Sequence, residues 1–417
     1  MRVRYLLLLI AAMTTILSCT TSIEHIDFIR QADGRLWEGS REYKFTGANL
    51  WYAALLASEA AGGDRERLCA ELDTLHALGI DNLRVLVGAD GETEMTGQVW
   101  PTLQTSSGQY NDALLDGLDY LLQEMGKRYM RAVLYFNNAW TWSGGYSYYL
   151  RQAGLGQAPS DMSDYRGYTA FVAQFSTCQE AKQMYLGHLR NIVGRTNRYT
   201  NQPYAYDPTI MAWQLCNEPR AFCDTLKAEF AAWLSEAAAT IRNIDPNHLI
   251  STGSEGLVGC NFDADLHKAI CSDPNIDYIT MHIWPTNWGW ARRDAIEEDL
   301  DTACILTTAY IEQHVELARE LHKPIVIEEF GYPRDGFSYS PSSATLLRNS
   351  YYQHIADIAA ATPEIAGLNF WAWGGTAIAL HEMWIPGDPL MGDPPQEPQG
   401  LFSVFARDTA TISILRK

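Results

Sequence analysis

Eight short apolar segments, most of them separated by helical stretches and closed by polar residues, predict a (β/α)8 TIM barrel for this chain of 417 residues. Fully apolar strands alternating with helices are what a parallel sheet covered on both faces requires. Polar residues gathered at the C-terminal ends of the strands mark the face on which barrels of this kind carry their sites. The length fits one barrel with long loops on that face as well as it fits two ordinary domains. A doubly wound open sheet is the alternative, but no glycine-rich phosphate loop follows the first strand.

In chain order, "FIRQADGRLWEGSREYKFTGANLWY" alternates around an Asp33-Gly34 turn, reads as a hairpin, and runs into the first strand. Residues 20–42 are therefore expected to be a linker and hairpin ahead of a barrel spanning 43–417. A helix from about Asp64 to Leu78 precedes the strand "NLRVLVG", and a helix near Asp112 to Gly126 precedes "RAVLYFNN". The remaining runs are "IMAWQLCNE", "HLISTGSEG", "IDYITMHIW", "PIVIEEFG" and "IAGLNFWAWGG". Their polar ends are Asn49, Arg84, Asn137 with Asn138, Asn217 with Glu218, Glu255, His282, Glu328 with Glu329, and Trp371 with Trp373. Long loops follow the third, sixth and eighth strands, and the last, "HEMWIPGDPLMGDPPQEPQG", is stiffened by proline and reads as a cleft wall. The strand-like "GLFSVF" after it should pack back onto the barrel.

Residues 1–19 carry Arg2 and Arg4, an apolar run from Tyr5 to Leu17, and "ILSC" ending at Cys19, the pattern of an export signal. The run is short for a membrane span. A small residue directly before Cys resembles a bacterial lipobox, which makes Cys19 the expected lipidation site and the protein an exported lipoprotein of the outer-membrane surface or periplasm. The other seven cysteines, Cys69, Cys178, Cys216, Cys223, Cys260, Cys271 and Cys304, are odd in number and so leave at least one free thiol. Cys216 with Cys223, or Cys260 with Cys271, could close short loops. A net charge of −19 argues against nucleic acid. No CxxC or HExxH pattern points to a metal, and 13 Trp and 22 Tyr suit either a core or platforms for sugar rings.

"WQLCNEPR" ends an apolar strand in an amide, a carboxylate, a proline and a guanidinium, and "IEEFG" ends another in two carboxylates. Glu218 and Glu329 over one barrel mouth can break a glycosidic bond, one protonating the leaving oxygen while the other attacks the anomeric carbon or activates water. The acid must hold a proton near neutral pH, which burial or a neighbouring carboxylate would favour. Adjacent residues on a strand point to opposite sides, so only one of Glu328 and Glu329 is expected to face the barrel axis.

"WQLCNEPR", "HIWPTNWGW", "IEEFG" and "NFWAWGG", at this spacing, resemble glycoside hydrolase family five, most closely its endo-β-1,4-mannanases, over nearly the whole chain from Tyr43. The resemblance implies that Glu218 is the acid/base and Glu329 the nucleophile. It implies that Asn217 binds the sugar 2-hydroxyl, that Arg84 keeps the nucleophile ionised, and that His282 and Trp371 line the subsite of the cleaved sugar. Arg220 matches an arginine on the product side. Asn138, Trp140 and Trp284 join them as substrate-binding residues. Trp284 stands where the family usually places a tyrosine that bonds the nucleophile, so either Trp284 substitutes or another tyrosine such as Tyr332 reaches in. The implied activity is endo-acting hydrolysis of β-1,4-mannan with retention, by a monomer needing no cofactor, the two carboxyl groups standing roughly 5 to 5.5 Å apart. A β-1,4-glucanase, an exo-acting mannobiohydrolase, and a non-catalytic glycan-binding lipoprotein are the alternatives.

Overall fold

The computed structural model describes residues 27–136 and 138–416. The export segment with Cys19, the start of the expected 20–42 linker, and Asn137 lie outside the described residues.

Eight parallel strands form one sheet: β1 Phe45–Asn49, β2 Asn82–Leu86, β3 Arg131–Tyr135, β4 Ile210–Gln214, β5 Leu249–Ser251, β6 Ile279–Ile283, β7 Ile325–Phe330 and β8 Ile365–Phe370. They pair in the order β5-β4-β3-β2-β1-β8-β7-β6. Single contacts bridge the remaining seam between β5 and β6: the amide of Asp277 donates to Ile250 O at 2.8 Å, and the Thr280 hydroxyl donates to Ser254 O at 2.8 Å. A helix follows each strand: α1 Arg65–Ala77, α2 Asp112–Lys127, α3 Gln179–Val193, α4 Lys227–Ile244, α5 Ala264–Cys271, α6 Leu300–Leu321, α7 Leu346–Ala361 and α8 Thr409–Leu415. The chain is a (β/α)8 barrel.

Every residue of β2, β3, β4, β6, β7 and β8 is buried, which is why these strands read as apolar runs without alternation. Helix starts follow local chemistry. Asp64 accepts from the amide of Arg67 at 2.9 Å to cap α1, and Asn111 accepts from Ala113 at 3.0 Å to cap α2.

Ahead of the barrel, Ile29–Ala32 and Arg35–Glu38 pair antiparallel around Asp33 and Gly34, both at positive φ as a two-residue hairpin turn demands. Ile29 and Leu36 pack with Phe45, Val133, Met211, Leu249, Tyr278 and Val326, closing the barrel's N-terminal end with apolar side chains. The opposite end of the interior is polar, so the barrel offers solid support below and chemistry above.

The stretch after β3 is not an open loop: it folds into short helices at Gly145–Gln152 and Tyr165–Val172 before α3. Their tyrosines explain it, since Tyr146 and Tyr149 bury themselves against Phe175, Tyr185 and Trp233, and Tyr168 against Trp140 and Phe222. After β8, residues 376–400 form a wall that returns to the barrel where Val404–Phe405 pairs with Trp373–Gly375. Fully buried Arg348 of α7 fixes that return by donating to the carbonyls of Tyr332, Ser403 and Leu401 at 2.8, 3.0 and 2.7 Å. Replacing Arg348 with Met would leave three buried carbonyls without donors. The urea midpoint should fall with the slope of the transition unchanged, corresponding to about 3 kcal/mol; an unmoved midpoint would contradict this account.

All seven described cysteines are free thiols, so neither the 216–223 nor the 260–271 loop is closed by a disulfide. Buried Cys216 donates to its neighbour's carbonyl while Cys223 lies 3.1 Å from the Thr225 hydroxyl, each with a different local partner. Among the described residues no helix is long and apolar enough to cross a membrane.

Candidate active site

The polar end of the barrel is organised around Arg84, from the middle of β2 and wholly buried. Its guanidinium donates to Gln214 Oε1 at 2.8 Å, Asn49 Oδ1 at 3.1 Å, Glu329 Oε1 at 2.5 Å and Asn217 Oδ1 at 2.9 Å. Its carbon also lies 4.4 Å from the Tyr135 ring centroid. Burial works against the charge of Arg84, but Glu329 and Glu328 outweigh it and hold the pKa above its ordinary value. One side chain thus fixes residues from four strands.

Glu329, at the end of β7, accepts from Arg84 on one oxygen and from the Trp284 indole N–H on the other at 3.2 Å. Trp284 therefore fills the place of the usual tyrosine. Tyr332 does not, because its hydroxyl donates to Ile296 O at 2.6 Å.

The expectation that only one of the two adjacent glutamates faces the interior is corrected by the structure. Between β6 and β7 the register jumps from Met281 opposite Ile327 to His282 opposite Glu329, leaving Glu328 as the extra residue of a bulge. A bulge breaks the two-residue alternation of a strand, so both carboxylates turn toward Arg84. Glu328 Oε2 lies 3.8 Å from Arg84 Nε, and Glu328 Oε1 accepts from Gln214 and from the Tyr278 hydroxyl. Glu328 is thereby committed to supporting contacts beneath the cleft.

Glu218 follows β4 with φ at 51°, a left-handed conformation that few non-glycine residues adopt. Its amide donates to Gly253 O at 2.9 Å, and Gly253 is needed there because a Cβ would stand 2.0 Å from Cys216 O. The carboxylate accepts from the Trp140 indole N–H at 2.5 Å and from His282 Nδ1 at 2.9 Å. His282 Nδ1 also lies 3.3 Å from Glu329 Oε2, and one donor atom from each of the three residues falls within 4.8 Å of the others. Burial would discharge His282, yet Glu329, Glu218 and Glu328 around it more than offset this and hold the imidazole well above its usual pKa. Burial pushes Glu218 up, but His282 outweighs that and leaves it below the ordinary carboxylate range. This departs from the expectation of a raised acid: the two shifts favour the proton of the pair on the imidazole.

Asn217 carries its carbonyl side to Arg84 and its amide to Asn138 Oδ1 at 3.2 Å; Asn138 in turn donates to Ser143 Oγ at 3.0 Å and receives the Trp140 amide. Trp371 directly follows β8 beside the cleft, 6.0 Å from Trp284 edge to face. Arg220 grips Glu255 through two bonds of 2.5 and 2.6 Å and lies 4.9 Å above the Trp140 ring. The cleft they enclose measures about 320 Å³, and Asp161, Met162 and Tyr165 of the third loop and Pro394, Gln396 and Glu397 of the eighth also face it. All ten residues singled out in the sequence meet at this one face. Trp140, Asn217, Glu218, Arg220, Trp284, Glu329 and Trp371 line the cleft; Arg84, Asn138 and His282 stand behind them.

The profile described as GH family 5 beta-mannosidase-like matches residues 26–417. The chain belongs to this glycoside hydrolase family. A family 5 mannosidase from Rhizomucor miehei is 31% identical, with a TM-score of 0.85 over 94% of this chain and 96% of that one, and a variant of it has been solved in complex with mannosyl-fructose. Mannan endo-1,4-beta-mannosidase 7 of Arabidopsis thaliana is 27% identical over 372 residues, 85% of this chain and 80% of its relative. An endo-beta-1,4-mannanase from Thermotoga petrophila, 22% identical with a TM-score of 0.66, shares the fold over 90% of this chain and 76% of that one.

In this glycoside hydrolase the Glu218, His282 and Glu329 cluster has the donor types of a metal site. Its atoms are already engaged with one another, and the Arg84 guanidinium on Glu329 would repel a cation. Sequence reasoning passed over Gln214, which bonds both Arg84 and Glu328, although a lone amide inside an otherwise apolar strand was a signal for it. It also left Gln396 and Glu397 without a role. A carboxylate and an amide among prolines gave no hint that they face the cleft.

Proposed function

We propose that this glycoside hydrolase cleaves β-1,4-mannosidic bonds of mannan, glucomannan or galactomannan by double displacement, with retention. The observation that carries the reading is the approach of Glu218 and Glu329, with an oxygen of each within 4.8 Å. That favours the short carboxyl spacing of retaining glycosidases, roughly 5 to 5.5 Å, over the roughly 6.5 to 9.5 Å that leaves room for a water in inverting ones. Relatives named as mannosidases and mannan endo-1,4-beta-mannosidases support the substrate class.

In the first step Glu329, held in place by Arg84 and Trp284, attacks the anomeric carbon while Glu218 protonates the departing oxygen. The proton reaches Glu218 from His282 along their 2.9 Å hydrogen bond. In the second step Glu218 takes a proton from water, whose oxygen attacks the anomeric carbon, and the bond to Glu329 breaks. Asn217 holds the 2-hydroxyl, Trp371 supports the sugar ring, and Trp140 and Arg220 contact the leaving part of the chain.

Action within the chain is the reading we favour for the mannanase-like motifs. A second reading, release of units from one chain end, is favoured by the eighth loop. Gln396 Oε1 and Glu397 Oε2 are buried without hydrogen-bond partners against this cleft, as groups awaiting the hydroxyls of a terminal sugar would be. Mannopentaose, galactomannan and carboxymethylcellulose incubated with the soluble domain decide among these. Short mixed oligosaccharides and falling viscosity support endo action, mannose or mannobiose alone supports the second reading, and cleavage of the cellulose derivative alone would make it a glucanase. No cleavage at all would leave a glycan-binding protein. Proton NMR of the first anomer formed should show the β form; a first-formed α anomer would refute retention.

We further propose that residues 1–19 direct export and that Cys19 carries the lipid. Labelled palmitate should enter the wild-type chain and be absent from Cys19→Ser, which should appear in the soluble fraction.

A further inference from the structure

Beside the two carboxylates the cleft holds a charged pair to which the mechanism assigns no step, Arg220 with Glu255. Glu255, just beyond β5, is 1% exposed. Both of its oxygens accept from the Arg220 guanidinium, Oε2 from Nε at 2.5 Å and Oε1 from an NH2 nitrogen at 2.6 Å. Burial pushes the Glu255 carboxyl up to about 7 against the opposing guanidinium, while acceptance from Arg220 on both oxygens favours its ionised form. Arg220 also donates to the Tyr165 hydroxyl at 3.2 Å and lies over Trp140, whose N–H holds Glu218 Oε2. A continuous chain of contacts runs from Glu255 through Arg220 and Trp140 to Glu218.

We infer that Glu255 is a positioning residue for the acid: by balancing the charge of Arg220 and fixing it over Trp140, it allows Glu218 to take up the proton it must donate. The inference rests on the reading of Glu218 as the acid/base. Glu218 sits among His282 from β6, Glu329 from β7, Arg220 from its own loop, Glu255 from beyond β5, Glu397 from the eighth loop, and Tyr135 and Cys216. Two of these groups are cations. His282 is the proton's source, so the charge that must be silenced is that of Arg220. An uncompensated guanidinium beside Glu218 would favour its ionised form and keep the proton on the imidazole. With Glu255 in place the pair is close to neutral as seen from Glu218, and Arg220 can meet the leaving sugar without disabling the acid.

The test is the pH dependence of kcat/KM for Glu255→Gln, Arg220→Met and the double variant, on mannotriose and on a dinitrophenyl mannoside. Loss of the carboxylate alone should move the basic limb down by about one pH unit, and loss of the guanidinium alone should move it up by a similar amount. The double variant should return it near the wild-type position, even where affinity stays reduced. The dinitrophenyl substrate, whose leaving group needs no proton, should lose several-fold less activity in Glu255→Gln than mannotriose does. A purely structural pair would lower rates evenly across pH and across both substrates, and that result, or two single variants shifting the limb in the same direction, would overturn the inference. Glu218→Ala separates this from failure of the underlying reading. If azide does not restore its activity on the dinitrophenyl substrate, the acid assignment itself is wrong.

Discussion

Glu329→Gln should lower kcat/KM on an aryl mannoside by on the order of 10^5, with the chain still folded. The amide keeps the shape of the carboxylate but cannot form the glycosyl-enzyme. Its NH2 group also meets only donors, since Arg84 and Trp284 both donate at this site. Arg84 retains Glu328 at 3.8 Å, and His282 retains Glu218, so neither buried cation is left without a counter-charge. Near-UV circular dichroism should therefore remain native. Glu328→Gln provides the control within the same strand. It should weaken the support beneath Arg84 and cost roughly 10- to 100-fold, since Glu328 holds no position at the cleft. A Glu329→Gln variant that kept more than about one per cent of wild-type activity, or a larger loss at Glu328, would transfer the nucleophile's role and refute the mechanism.

Legibility in the sequence followed the range of the interaction. The barrel could be read because each strand and helix announces itself locally, by an unbroken apolar run or by a cap such as Asp64. The site residues could be read because strand ends collect them. What pairs with what could not, because Arg84 and Glu329 are 245 residues apart and no local pattern encodes their distance. The bulge at Glu328 was hidden for the same reason: alternation predicts opposite faces, and only the partner strand reveals the extra residue. The protonation of Glu218 depends above all on His282, which approaches it from another strand end, so a motif reading could point to Glu218 but not to the direction of its pKa. Short helices in the third loop were masked by glycine and tyrosine, and the first of them packs Tyr146 against Trp233 and Phe175, which lie further along the chain.

The depressed pKa of Glu218 also has a consequence for stability. A carboxylate lowered in the folded chain contributes stability that is present above its unfolded value of about 4.3 and is lost as pH falls through the folded value. His282, raised in the folded state, contributes below about 6.5, its unfolded value, and loses that contribution as pH rises through its folded one. The window in which both contribute lies between those two unfolded values, on the acid side of neutrality. The site is thus electrostatically most favourable with a protonated imidazole among ionised carboxylates, the state from which the proposed first step would start.

Glu218→Ala should separate the two halves of the reaction. On mannotriose kcat/KM should fall by on the order of 10^3 to 10^4, because the departing sugar oxygen goes unprotonated. On a dinitrophenyl mannoside the leaving group departs without help, so the glycosyl-enzyme on Glu329 should still form. Water then attacks slowly without its base, and a burst of dinitrophenol followed by a slow phase is expected. Azide fits the space vacated by the carboxylate and needs no base. It should accelerate the slow phase and yield β-mannosyl azide, the configuration that follows from two inversions at one carbon. The space exists because the carboxylate occupies a walled position between Trp140 and His282, both of which remain in the variant. An α-azide would mean a single displacement and an inverting enzyme, whatever the spacing of the carboxylates. Equal losses on both substrates without an azide product would mean that Glu218 positions the sugar and another group supplies the proton, with His282 the nearest donor.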